Sequence, residues 1–278
     1  MVNSINTNAG ALFGAQNLRR ASSALGETRE QISTGRRVNG PDDNAAILAI
    51  SQILESDIAG LNVTKDSINR AISTADVSIA AGNAVSNLLL DLRETALQAS
   101  DPGLDDDSRR ILNDQFTALR DQVNSIVDNA SFNGTNAIQS GGSDITALTG
   151  AEGQESVTIQ ARDLSLGGPN VTLSDSQTIG TLSDAQNALS AIDQSLNNLS
   201  DVLSEFGSGA NQLEQLRDFT ETLSNTTEEG LGNLIDADLA ALSAEFEAGQ
   251  VREALGRSAL NIANQQPAAL LQLFNNNN

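Results

Sequence analysis

From Asn44 to Ala99, apolar residues recur at every third or fourth position: Ile47, Ile50, Leu54, Ile58, Leu61, Ile68, Ile72, Ala75, Ile79, Val85, Leu89, Leu92, Ala96 and Ala99. Only Lys65 and Gly82 interrupt the series, and the mean step is close to 3.5 residues. That step keeps one narrow apolar seam along a helix, the pattern of coiled-coil packing. No proline falls inside the stretch. At roughly 1.5 Å rise per residue, about 56 residues make a helix of about 80 Å, so the pattern predicts an elongated molecule.

A second seam of the same step runs from Ser183 to Leu234, through Leu189, Leu196, Leu203, Leu213 and Leu223. Its matching length predicts an antiparallel partner for the first. Gly207-Ser208-Gly209 predicts a kink in it. The chain ends read as weaker helices. Ile5, Leu12, Leu18, Leu25 and Ile32 mark one stripe over 4–33, with small residues between. Leu239, Leu242, Phe246, Leu255 and Ile262 mark another from Asp236, broken at Gln266-Pro267 and ending in Leu270, Leu271, Leu273 and Phe274. Asn275–Asn278 read as disordered.

Punctuation separates these elements. Gly35 stops the first helix, Gly40-Pro41 forces a turn, and Asp42 and Asp43 are candidate N-caps of the long one. Asp101-Pro102-Gly103 ends it, and Leu104–Asn129 carries a short helix opening on Asp105, Asp106 and Asp107. The connection is short enough to make the two helices antiparallel neighbours. Helical spacing vanishes over 131–182. Val157, Ile159 and Ala161 alternate, and Leu164, Leu166, Val171 and Leu173 flank Gly167-Gly168-Pro169-Asn170, which predicts one or two β-hairpins. The fold class is mainly α: an elongated helical rod of antiparallel long helices with coiled-coil packing, paired terminal helices and a small β-hairpin insertion. Its segments are 1–35, 36–135, 136–181, 182–235 and 236–278.

Composition supports a thin helical architecture. Aromatic residues make up 3% of the chain, all of them Phe, so no core leans on large rings. The net charge of −21 argues against a nucleic-acid partner, which requires a basic footprint. Residues 1–43 hold five Arg and four acids and residues 236–278 two Arg and five acids, so nearly all the acidity lies between them. There is no Cys and no His. Disulfides, thiol catalysis, Cys–zinc sites and the commonest general base are thereby absent, and no catalytic, cofactor or metal constellation is expected. Asp236 and Asp238 read as helix-start charges, since no third ligand accompanies them. No apolar run approaches the length of a membrane span, and MVNSINTNAG lacks the layout of a cleavable signal.

Several motifs carry a family likeness. Ser4-Ile5-Asn6-Thr7-Asn8 resembles the opening of bacterial flagellins, as does Ile32-Ser33-Thr34-Gly35-Arg36-Arg37-Val38-Asn39 followed by Asp42-Asp43-Asn44-Ala45-Ala46. Ser131-Phe132-Asn133-Gly134 is similar to the family's turn after the second helix. Asp236-Ala237-Asp238, Asn261-Ile262-Ala263-Asn264-Gln265 with Pro267, and Leu270-Leu271-Gln272-Leu273-Phe274 resemble its C-terminal signature.

The resemblance implies a structural subunit of the flagellar filament, exported through the flagellar type III apparatus and located outside the cell. It implies self-assembly as the main partnership, with the hook–filament junction protein, the filament cap and an export chaperone as further partners. The terminal helices, disordered in the monomer, would order on assembly, with Ile5, Leu12, Leu18, Leu25, Ile32, Leu255, Ile262, Leu270, Leu271, Leu273 and Phe274 as the polymerisation core. The resemblance also bears on a vertebrate innate immune receptor. Arg93 and Glu94 match its recognised stretch, whereas Leu90, Asp91 and Thr95 depart from it, which implies weak or absent recognition. The rival readings are a hook–filament junction protein of the same axial family and a soluble coiled-coil interaction protein.

Overall fold

The computed structural model describes the backbone of residues 7–275 and the side chains of 7–265. Ile5, the side chains of Leu270, Leu271, Leu273 and Phe274, and the expected disorder of the final asparagines lie outside the described residues. The elements are helices α1 (Ala9–Thr34), α2 (Pro41–Ala99) and α3 (Asp106–Asn129), strands β1 (Ile145–Leu148) and β2 (Ser156–Ile159), and helices α4 (Leu182–Ile235) and α5 (Leu239–Asn275). They form two compact units: a terminal unit of Met1–Glu55 with Thr227–Asn278, and a central unit of Ser56–Thr226.

In the terminal unit α1 lies against α5. Gly35, in the left-handed region at φ 70°, closes α1 as expected. The segments leaving α1 and α4 are then clasped by backbone bonds: Arg37 N–H donates to Ile235 O at 2.6 Å, and Ala237 N–H to Gly35 O at 2.9 Å. The cap of α2 corrects the sequence reading. Asn44 has non-helical backbone angles, and its Oδ1 accepts from Ala46 N and Ile47 N. Asp43 instead accepts from Asn39 N and Gly40 N, tying the preceding turn. A side chain caps only when its own residue steps out of the helix, and Asn44 is the one that does. Likewise α5 starts at Leu239 rather than Asp236, because Asp238 caps Ala240 N and Ala241 N while Asp236 pairs with Arg36 in a single bridge.

The central unit holds one core. Ile68, Ala75, Val85, Leu89, Leu92, Ala96 and Ala99 of α2, Phe116, Val123 and Val127 of α3, and Ile192, Leu199, Phe206 and Leu213 of α4 are among its helical members. Two contacts make α2 and α4 antiparallel: a methyl group added at Gly82 would lie 2.7 Å from Leu203 Cδ2, and Arg93 Nε donates to Asp193 Oδ1 at 2.6 Å. Gly82, which breaks the apolar series, is thus a point of close approach. The expected kink in α4 is absent. Gly207 stays helical, and Gly209 makes room for β2, since a methyl group there would lie 2.6 Å from Ile159 Cδ1.

The turn from α2 to α3 is closed by a residue the sequence did not flag. Arg109 is 7% exposed, and its guanidinium donates to the carbonyls of Ala99, Asp101 and Leu104. The Ala99 carbonyl is one that the helix end leaves without a partner, and the other two belong to the turn itself. Asp105 caps α3, so that helix begins at Asp106 rather than Leu104. Hydrogen bonds from the Ser108 N–H and hydroxyl hold the Asp105 carboxyl below its ordinary range. A folded-state pKa below the unfolded value contributes stability that is complete above the unfolded pKa and is lost as pH falls through the folded one. Protection of the amides at the start of α3 against exchange should therefore weaken as pH falls below the ordinary carboxylate range, and Asp105→Asn should remove that dependence.

The insertion contains one hairpin, not two. β1 pairs antiparallel with β2, Ile145 opposite Ile159. Leu166 and Val171 meet only in a single parallel bridge, because Leu164, Val171 and Leu173 point into the core instead of forming a ladder. The hairpin is pinned to α2: the Ser67 hydroxyl accepts from Leu148 N at 3.1 Å, and Thr64 Oγ1 donates to Gly150 O at 3.0 Å. The turn after α3 is a tight reversal in which Phe132 and Thr135 exchange backbone bonds, with Asn133 at φ 50° and Gly134 at φ 81°.

Candidate functional site: the paired terminal helices

The α1–α5 seam sets large side chains against glycine. Leu25 faces Gly249, Leu18 faces Gly256, and Leu260 faces Gly14; added methyl groups would meet those leucines at 3.0, 3.3 and 3.4 Å. The Arg29 guanidinium sits 5.7 Å from the centre of the Phe246 ring. Gly14 lies near Leu260 while Leu25 lies near Gly249, so the helices run antiparallel. On α5 the half-buried face is Leu242, Phe246, Gly249, Glu253, Gly256, Leu260 and Ala263, a regular three–four series.

This register divides the expected polymerisation core. Leu25 is buried, and Leu18 and Ile32 are half-buried within the pair. Leu12, Leu255 and Ile262 face outward instead, at 65, 65 and 66% exposed. Of the apolar stripe read along α5, Leu242 and Phe246 lie on the half-buried face, and Leu255 and Ile262 do not. The usable signal was Gly249 and Gly256, one heptad apart, which let the backbones approach. The outward residues form a second series on α5: Ala244, Ala248, Val251, Leu255, Ala259 and Ile262, all exposed. Helix α5 therefore carries two apolar stripes and uses one.

Asn8 joins the two helices at their far end. Its Oδ1 caps α1 by accepting from Ala11 N, and its Nδ2 donates to Ala263 O at 2.7 Å. Ala263 O is the acceptor that the fourth residue on, Pro267, cannot serve, because proline has no N–H. The missing donor is supplied from α1, and α5 runs past Pro267 to Asn275 instead of breaking there. Asn8→Ala should leave both groups without partners, cost about 1–2 kcal/mol, and speed amide exchange around Pro267.

Of the long-helix seam, Leu61, Ile68, Leu89 and Leu213 are buried; Ile47, Leu54, Ile79, Leu189, Leu196 and Leu203 are half-buried, and Leu223 is 41% exposed. In the receptor-related patch, Leu90, Asp91, Arg93 and Glu94 are exposed. Thr95 is buried, its hydroxyl donating to Asp91 O, so it offers no surface. Among the described residues no group of His, Cys, Asp or Glu could hold a metal ion. An 18-residue window of α2 reaches the length and composition of a membrane span, which the sequence reading did not anticipate, yet only 11% of it is buried. Ile50, Ile53 and Val63 are among the exposed side chains of α2.

A helical chain whose first and last helices pair and still expose apolar stripes has the surface of a self-assembling protein. Residues 5–142 match the bacterial flagellin N-terminal helical region, and residues 189–274 match the bacterial flagellin C-terminal helical region. Flagellin FljM of Caulobacter vibrioides is 36% identical over 98% of this chain and 99% of its own. Flagellin FljO of the same organism is 37% identical over the same shares. A putative flagellar hook-associated protein from Vibrio parahaemolyticus shares the fold, with a TM-score of 0.58 and 14% identity over 70% of this chain and 100% of that one. The chain belongs to the bacterial flagellin family.

Proposed function

We propose that the chain is the repeating subunit of a flagellar filament and polymerises through its terminal unit. The single observation that carries this reading is the second apolar stripe of α5, unused within one chain and spaced for a helix of another copy. The role is structural: the subunit leaves through the flagellar type III apparatus, stands outside the cell, and engages the junction protein, the cap and an export chaperone on the way. The terminal helices order fully on assembly, because so few of their side chains are buried in one copy. A flagellar hook-associated protein shares the fold, and likeness over 98% of the chain to proteins named flagellin favours the filament subunit. Purified chain, seeded with sheared filaments and viewed by electron microscopy, should elongate them. A stable dimer that never elongates would point to the soluble coiled-coil reading instead.

Receptor recognition should be weak. Asp91 places a carboxylate on the exposed face, and Arg93 is already engaged by Asp193. Like charge or a missing partner in such a patch opposes binding. A reporter-cell assay should show little response; full activation at low dose would refute this.

A further inference from the structure

The central unit contains a polar cavity of about 240 Å³ that plays no part in the pairing of the terminal helices. It lies between α2, the Phe132–Thr135 turn and the start of β1, and Ser67, Arg70, Phe132, Asn133, Asp144 and Thr146 are among the residues lining it. Its walls are fixed by bonds already in place. Ser67 is buried, and its hydroxyl accepts from Leu148 N, which holds β1 to α2. The backbone bonds exchanged by Phe132 and Thr135 hold the turn. Ala161 N donates to Asp144 Oδ1 at 2.7 Å and so orients that carboxylate. The cavity is therefore preformed in the folded chain.

The groups around it are chemically mixed. Arg70 offers only donors, the Asp144 carboxylate only acceptors, and the Asn133 amide both. Arg70 and Asp144 line the same space without forming an ion pair, and among the described residues the side chains of Arg70 and Asn133 have no hydrogen-bond partner. A small anion would meet the Asp144 carboxylate and a small cation the Arg70 guanidinium, each an unfavourable like-charge contact. An apolar ligand would strand the donors and acceptors. What fits is a neutral molecule whose groups both donate and accept, with an apolar face for the Phe132 ring, which is 36% exposed. The polar cleft between β2 and α4 makes the contrast: Asp201 and Glu205 line it, and no aromatic ring joins them.

We propose that this cavity binds one hexopyranose ring, its C–H face on Phe132 and its hydroxyls donating to Asp144 while accepting from Asn133 and Arg70. Its volume is below the roughly 300–1,000 Å³ of sites for drug-sized ligands, which suits a single ring rather than a longer saccharide. The site is complete within one chain and does not depend on assembly.

Saturation-transfer NMR on the full chain with the methyl glycosides of glucose, galactose and mannose reads the site. At least one should receive saturation, with a Kd of about 1 mM, as befits a small neutral ligand. Three variants each remove one wall group. Asp144→Asn still accepts from Ala161 N but loses its charge. Asn133 sits at φ 50°, so Asn133→Gly deletes the amide and keeps the turn. Phe132→Ala removes the ring. Each should weaken binding about tenfold with an unchanged circular dichroism spectrum, and Gln212→Ala in the other cleft should have no effect. Absence of transfer to all three glycosides overturns the proposal, as does transfer that survives Asp144→Asn and Asn133→Gly together. Binding of free alanine, a zwitterion, in place of the glycosides overturns it as well.

Discussion

Replacing Gly249 and Gly256 together by leucine should separate α1 from α5 and abolish elongation. Added methyl groups would already lie 3.0 Å from Leu25 Cδ1 and 3.3 Å from Leu18 Cδ1, and each leucine adds three further carbons beyond them. Overpacking of this kind costs about 1–3 kcal/mol per site. The pair cannot absorb it, because Leu25 and Thr28 are the only residues of α1 that are buried. Most helical stability in proteins comes from packing of an apolar face, so α1 released from α5 should lose its helicity. Alanine at either position is a milder change: the gain of about 1 kcal/mol in helix propensity offsets a contact that Leu25 or Leu18 can relieve by shifting its end. Gly26, with open space around it, is the matched control. Circular dichroism of the monomer and seeded elongation read the effect; a double variant that polymerises at the wild-type rate would show that the glycine seam is dispensable.

Phe206→Ala should destabilise the central unit by about 3–5 kcal/mol. Phe206 is fully buried on α4, within the core that α2, α3 and the insertion also reach. Apart from Phe116 it is the only fully buried ring among the described residues, so no neighbouring aromatic can swing in to fill the space. The loss should appear as a lower denaturation midpoint of the full chain at unchanged slope. Phe219→Ala serves as the internal comparison: Phe219 is 62% exposed on the same helix, and its truncation should change monomer stability by less than about 0.5 kcal/mol. Equal effects at the two positions would contradict the placement of the core.

Where the sequence reading succeeded, the information was periodic. A step near 3.5 residues identifies a helix and the side it buries regardless of the partner, and Leu61, Ile68, Leu89, Leu92 and Leu213 are buried accordingly. Gly35 and Asp101 were legible because their effect is local to the backbone, and the Asn133-Gly134 turn was legible through the family resemblance. The reading failed where backbone angles or a hydrogen-bond partner decided the outcome. Asn44 displaced Asp42 and Asp43 as the cap through its own backbone angles. Pro267 was read as a break because its missing donor is visible in sequence, while the Asn8 amide that replaces it comes from the opposite end of the chain. Arg109 looked like one more surface charge until the three carbonyls of the turn were seen around it.

The sequence by itself determined the elements, the family likeness and the absence of Cys and His chemistry, because each depends on residue type and spacing alone. Tertiary structure decided which stripe of α5 meets α1 and which glycines are contact points. Those depend on register between helices, and register is set by the fit of Leu18 and Leu25 against Gly256 and Gly249, and of Leu203 against Gly82, rather than by any periodicity one helix carries alone.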